Sequence, residues 1–349
     1  MAKAKKKEVA KPVEEEATKK EPSKFRKKLE SIISVPLFTQ SFKSMWVLWL
    51  ALTIGSAFIF VIINIAVGSK NIFTNIQMDA VSQYVSDEGL SWLKILGLLD
   101  KMGFSLTRIQ IMSQIDLNSI MNELVYKIAG VLLPMIYVMI CANRLIAAQV
   151  HDGSMAYILS TPTNRKTVVR TQYLFLLLSI IAMYIIIFIA AFSSEAIANS
   201  IQIAKNPDAK STWNPITTPL FCFGSFLSMF ALGGIAFGAS GFFNKSNYSV
   251  AVGGGACIVS FLCCILGLFG NKVFVAVGIG VKAMSIFNYL SIFTLVDNES
   301  MSNFAKAAYG NPDVTMSFNW IWELAILVAI GAVFAYIGGR RFVKKDLPL

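Results

Sequence analysis

Five stretches of the chain, at about 45–68, 173–193, 216–241, 249–270 and 320–338, run for some twenty residues with scarcely a charge. That is the length a helix needs to cross the hydrocarbon core of a bilayer. A sixth, about 126–148, has an apolar centre from Ile128 to Ala142 and closes with Arg144. In lipid the backbone must satisfy its own hydrogen bonds, so each run reads as a helix. The expected fold is an all-α integral membrane protein with six transmembrane helices. Composition agrees, because 55% hydrophobic and 15% charged residues over 349 positions leave too little polar surface to coat a soluble domain.

The flanks give an orientation. Residues 1–23 are a Lys, Glu, Ala and Pro block without apolar periodicity, expected to be disordered and lacking the apolar core of a secretory signal. In 24–44, Lys24, Arg26, Lys27 and Lys28 precede Leu29, Ile32, Ile33, Leu37 and Phe38. This predicts an amphipathic interfacial helix, interrupted near Pro36. A basic tail, 339–349, follows the last run with Arg340, Arg341, Lys344 and Lys345. With six crossings and both termini on one side, that side collects 21 of the 31 Lys and Arg residues. The positive-inside rule then makes both termini cytoplasmic, in a multi-pass protein of the cell membrane. Two apolar pieces are too short to cross: 89–99, which contains Lys94, and 273–296, split by Lys282. They read as re-entrant or interfacial half-helices on the outer side.

Several functions are excluded or weakened. A net charge of +11 would suggest nucleic acid in a soluble protein, but here the cations flank apolar runs and point to membrane orientation and anionic lipid. Cys141, Cys222, Cys257, Cys263 and Cys264 lie in or beside apolar stretches without ligand spacing and read as small hydrophobes. With His151 as the single histidine, no metal site is expected from this chain. The phosphate-cradling pattern GxxxxGK[ST] is absent, so any ATP that drives the protein binds, with Mg, to another subunit.

The loop between the second and third runs carries the most pattern. Asp152 and Gly153 form a turn, Ser154 can cap a helix start, and Pro162 disfavours helix just before it. Between them Met155, Ile158 and Leu159 share one face of about two helical turns, and Arg165, Lys166 and Arg170 follow. An apolar knob on a wet loop suits docking into a partner's groove. It equally suits a loop resting on the membrane with its basic end on lipid phosphates.

At this loop the stretch DGSMAYILSTPTNR, Asp152 to Arg165, resembles the permease subunits of type-2 ATP-binding-cassette exporters. A second resemblance is YLSIFTLVD, Tyr289 to Asp297, including Ser291, Phe293 and Leu295, where this family carries short outer half-helices. Together with the six runs it covers about residues 30–345. Where the family pattern has a glutamate before the glycine, this chain has Gln149, Val150 and His151. The resemblance implies a transport subunit without catalytic residues, cytoplasmic ATPase partners pressing on the 153–162 helix, and a second copy or homologous permease beside it. Peptides and amphipathic lipid-like molecules are the expected cargo, because the outer segments are apolar.

Glu323 is the one carboxylate inside a predicted run, beside Trp320 and Trp322, where it can reach headgroup water or favour a helix N-terminus. Gly234, Gly238 and the 253–255 glycines permit close helix packing. A membrane-embedded enzyme would need clustered His, Asp or Glu within the runs. An ion-coupled carrier is weakened by the same lack and by the absence of visible inverted repeats.

Overall fold

The computed structural model describes residues 33–69, 126, 130–161, 163–205, 213–270, 275, 281–310 and 315–346. Within these the chain is helical, with no strand, as self-satisfied backbone in lipid requires. Six helical segments are long and apolar enough to cross a membrane. They are α1 (Val35–Ser69); α2 with α3 (Leu132–Leu145, Ala147–His151); α5 (Arg165–Lys205); α6 (Thr217–Phe242); α7 with α8 (Ser246–Ser249, Gly255–Leu268); and α10 (Asn319–Lys344). The short α4 (Ser154–Ser160) joins the second and third spans, and α9 (Asn298–Ala308) precedes the sixth.

Two helices extend well beyond the runs read from the sequence, and one span carries an irregular turn. Helix α1 runs unbroken through Pro36, because a proline in the first turn has no amide hydrogen bond to lose. Residues 35–44 are therefore continuous with the helix of the first span, with no break between them. The Ser34 amide donates to Thr171 Oγ1 at 2.9 Å, and the Ser41 hydroxyl to Gln172 Oε1 at 2.9 Å. Phe38 meets Phe175 edge-on at 5.3 Å, so the segment packs on α5. Residues 1–32 and 89–99 lie outside the described residues.

Helix α5 is 41 residues long, far beyond the 173–193 run. Its polar continuation is compatible with helix because Ser193 and Ser194 donate back to the carbonyls of Ala190 and Ala191 at 3.1 and 2.9 Å. The fifth span contains a π-helical turn, Val250–Gly254, at the glycine run. A Cβ on Gly253 would come within 3.1 Å of the Ala236 backbone, so glycine lets this turn lie directly on α6.

Helix α6 is the most enclosed span. On one side it meets α10 through glycine, since a Cβ on Gly234 would run into the Gly331 backbone and one on Gly241 into Gly338. On its other faces Phe237, Leu232 and Met229 join Tyr137, Ile180 and Met183 in the buried core. Around the outside, Trp46, Leu50, Ile54, Phe58 and Ile62 form an exposed stripe along α1. Four-residue spacing puts them on one face, an apolar surface suited to lipid tails or to a neighbouring membrane helix. All five cysteines are free and buried.

Candidate functional site

The 152–165 loop lies at the end of the bundle where α2 carries Arg144, α5 begins with Arg165, Lys166 and Arg170, and α10 ends with Arg340, Arg341 and Lys344. The second span breaks at Ile146 (φ −131°, ψ −64°), freeing a backbone amide that must be satisfied. Ser240 of α6 does so, its Oγ accepting from Ala147 N at 2.9 Å. One turn earlier Asn143 Nδ2 donates to Ser246 Oγ at 2.8 Å. The α2–α3 junction is thus fixed to the α6–α7 turn.

Beyond α3 the chain reverses at Gly153, whose φ of 73° is the left-handed conformation that favours glycine. Ser154 does not cap α4. Its hydroxyl instead donates to Gln149 O at 3.2 Å, holding the turn to α3. The other end is closed by Thr163, whose Oγ1 donates to Ile158 O at 3.0 Å. Pro162 lies outside the described residues. Asp152 is exposed, with Oδ1 3.2 Å from His151 Nδ1.

The apolar face of α4 is divided. Met155 is fully buried within the chain, while Ile158 and Leu159 are half-buried against the same core. The surface left outward is led by Tyr157, 81% exposed. The sequence grouped Met155, Ile158 and Leu159 as one outward-facing set; the fold uses Met155 to anchor α4. Arg165 is also engaged, its Nη1 donating to Lys345 O at 2.9 Å. Lys345 Nζ in turn donates to Phe243 O at 3.1 Å. Burial, then the neighbouring Arg341, hold the Lys345 ammonium down to about 8.

At the opposite end two 3₁₀ segments, Lys282–Tyr289 and Ile292–Leu295, lead into α9. Both are far shorter than a crossing needs. Ser291 Oγ donates to Ser260 O at 2.8 Å, and Phe293 is buried edge-on to Phe261 at 6.1 Å. Leu295 is half-buried against the core and Tyr289 is 89% exposed. Asp297 caps α9, accepting from Ser300 N at 3.0 Å and Ser300 Oγ at 2.6 Å. Glu323 of α10 sits beside Asp297, where α10 meets the second 3₁₀ segment and α9.

A carboxylate the sequence reading missed is also at this end. Glu195, on the extension of α5, accepts from Tyr126 Oη at 2.6 Å and from the Thr218 hydroxyl. Tyr126 stacks between Phe60 and Phe221, with ring centroids 5.1 and 5.3 Å away. The cluster joins α5, the start of α6 and the approach to the second span. A polar residue past an apolar window is unreadable as intramembrane until the helix is known to continue.

The profile of one protein family, described as ABC-2 family transporter protein, matches residues 38–347, a range that takes in all six long apolar helices, α4, the two 3₁₀ segments and α9. The chain belongs to this family. It is therefore a multi-pass membrane protein of an ABC-2 transporter, a permease family whose members pair with ATP-binding-cassette subunits. No curated protein and no solved structure matches the chain. The α4 loop adjoins the start of α5 and the Glu195 cluster lies near its other end, so α5 joins the two sites.

Proposed function

We propose that this ABC-2 permease is the membrane half of an ATP-driven exporter in the cytoplasmic membrane, with both termini and α4 on the cytoplasmic side. A second copy or a homologous permease completes the pathway, and ATP and Mg bind the cytoplasmic ATPase subunits. The cargo class that fits the apolar outer segments is a peptide or an amphipathic, lipid-like molecule. The observation that carries the coupling role is the pairing of Met155 and Tyr157. One side chain locks α4 into the bundle while the other, two residues on, stands 81% exposed. A helix held in this way passes an applied force directly to the α2–α3 junction and to α5, which a solvated loop would dissipate.

The discriminating variant is Tyr157→Asp, because Tyr157 has little internal packing to lose, whereas a charge at half-buried Leu159 would also disturb the fold. Insertion, expression and melting temperature should be unchanged. Recovery of the ATPase complex and permease-stimulated ATP turnover should fall at least about tenfold, as expected for an unpaired charge forced into an interface. Full coupling in Tyr157→Asp would leave α4 as a loop that rests on lipid and would end the coupling role. Topology is tested by a single cysteine at Tyr309, 62% exposed, on a cysteine-free background. Labelling in intact cells supports the orientation, and labelling only after permeabilisation reverses it.

A further inference from the structure

Between α5, α6 and α10 lies a groove of about 710 Å³, within the size range of small-molecule sites. Its mouth is ringed by Lys166 and Arg170 on α5 and by Arg340 and Lys344 on α10. On each helix the two cations are four residues apart, so they share a face and point across the same opening. All four are exposed, and no salt bridge with a described carboxylate engages any of them. Arg340 meets Tyr336, with a 3.4 Å contact from Nη1 to Oη and its guanidinium carbon 6.0 Å from the ring centroid. Beneath the cations the lining turns apolar, with Leu177, Phe230 and Ala332.

Four uncompensated cations at a membrane interface repel one another, and an apolar cleft beneath them is unfavourable if filled with water. A molecule with an anionic head and hydrocarbon tail removes both costs. Guanidinium and ammonium groups bind phosphodiester oxygens by charge-assisted hydrogen bonds. A soluble anion would occupy only the mouth. We infer that this groove is a binding site for one anionic phospholipid of the adjoining leaflet, its phosphate held by Arg170, Arg340, Lys166 and Lys344 and an acyl chain lying along Leu177, Phe230 and Ala332. The site needs neither an ATPase nor a direction of transport, so it stands or falls separately from the coupling role.

The test uses the full chain, equilibrated with vesicles of equal parts phosphatidylglycerol and phosphatidylcholine, extracted, and read by native mass spectrometry. The wild type and the control Arg341→Gln, whose side chain is outside the groove, should retain phosphatidylglycerol over phosphatidylcholine. Arg170→Gln/Arg340→Gln should lose at least about tenfold of that preference. Ala332→Trp keeps every charge but fills the apolar part, and should lower retention of both lipids; this second variant keeps the inference testable if the double variant fails to fold. Equal retention of the two lipids by the wild type, an equal loss in Arg341→Gln, or displacement of phosphatidylglycerol by inorganic phosphate at millimolar concentration would overturn it. Disulfide cross-linking of two copies through Ala332→Cys in native membranes would also overturn it, by showing that a second chain fills the groove.

Discussion

Helices α6 and α10 are joined by absence, and α1 and α5 by substance. Along the first seam Gly234, Gly238 and Gly241 face Gly331, Phe334 and Gly338, and a Cβ at any of the three would strike the opposing backbone. Along the second, Ser41 bonds Gln172, the Trp49 indole donates to Ser179 O at 2.9 Å, and Asn64 Nδ2 donates to Ser194 Oγ at 3.0 Å. In lipid the hydrophobic effect does not drive helices together, so close contact and hydrogen bonding are the two available means. The contrast concerns tolerance. A glycine seam has no adjustable part, whereas a seam of side chains can lose one member and repack.

The sharpest way to break the comparison is Gly234→Leu. The added side chain has nowhere to go but into Gly331, and overpacking of this kind costs about 1–3 kcal/mol even where only side chains must shift. Loss of the monodisperse species in detergent is the expected result. A folded, monodisperse Gly234→Leu protein would show that the seam slides and remove the contrast.

An intermediate effect is expected from Gln172→Leu, which removes the acceptor of Ser41 but keeps the volume. Interhelical hydrogen bonds in membranes average about 0.6 kcal/mol, so the melting temperature should fall by a small amount with the fold intact. Asn64→Leu should behave alike, and the double variant should be close to additive, since the two sites lie several turns apart along α1. A loss as severe as that of Gly234→Leu in either single variant would erase the distinction between the seams.

The smallest effect belongs to the end of the glycine seam, where Lys345, just past α10, bonds the carbonyl of Phe243, just past α6. Its ammonium is held at about 8 against an ordinary 10.5 by burial and Arg341. Between those values the unfolded chain carries more protons than the folded one, so stability should rise with pH across that window. Below about pH 8 the cost of the buried charge is present in full. Lys345→Met should flatten this part of the thermal-stability profile. An unchanged slope would assign the dependence to another group.

The positions of the six spans were legible because bilayer thickness imposes a length on apolar runs, and nothing else in the chain mimics it. Span ends were not, because beyond the hydrocarbon they depend on tertiary partners. Ser34 and Ser41 reach α5 and straighten α1 through Pro36, while Ser193 and Ser194 carry α5 on to Glu195. The α4 loop was legible as a rigid apolar feature, through its turn residues and its i, i+3, i+4 spacing. What covers each apolar residue was not. Sequence alone does not distinguish a methionine buried by its own fold from one awaiting a partner, and Met155 proved to be the former, leaving Tyr157 outside.

The 41 residues of α5 extend for about 60 Å at 1.5 Å per residue, roughly twice the thickness of the hydrocarbon core. Arg165 at one end adjoins α4, and Glu195 near the other bonds the start of α6. One unbroken rod is therefore longer than the hydrocarbon core is thick, and a tilt about its centre moves both ends. Swinging it by about 5° around its centre displaces each tip by about 3 Å, and Glu195, about 15 Å from the centre, by about 1 Å, from the same helical dimensions. A shift of that size lengthens the bonds from Tyr126 and Thr218 to the Glu195 carboxylate without bending any helix.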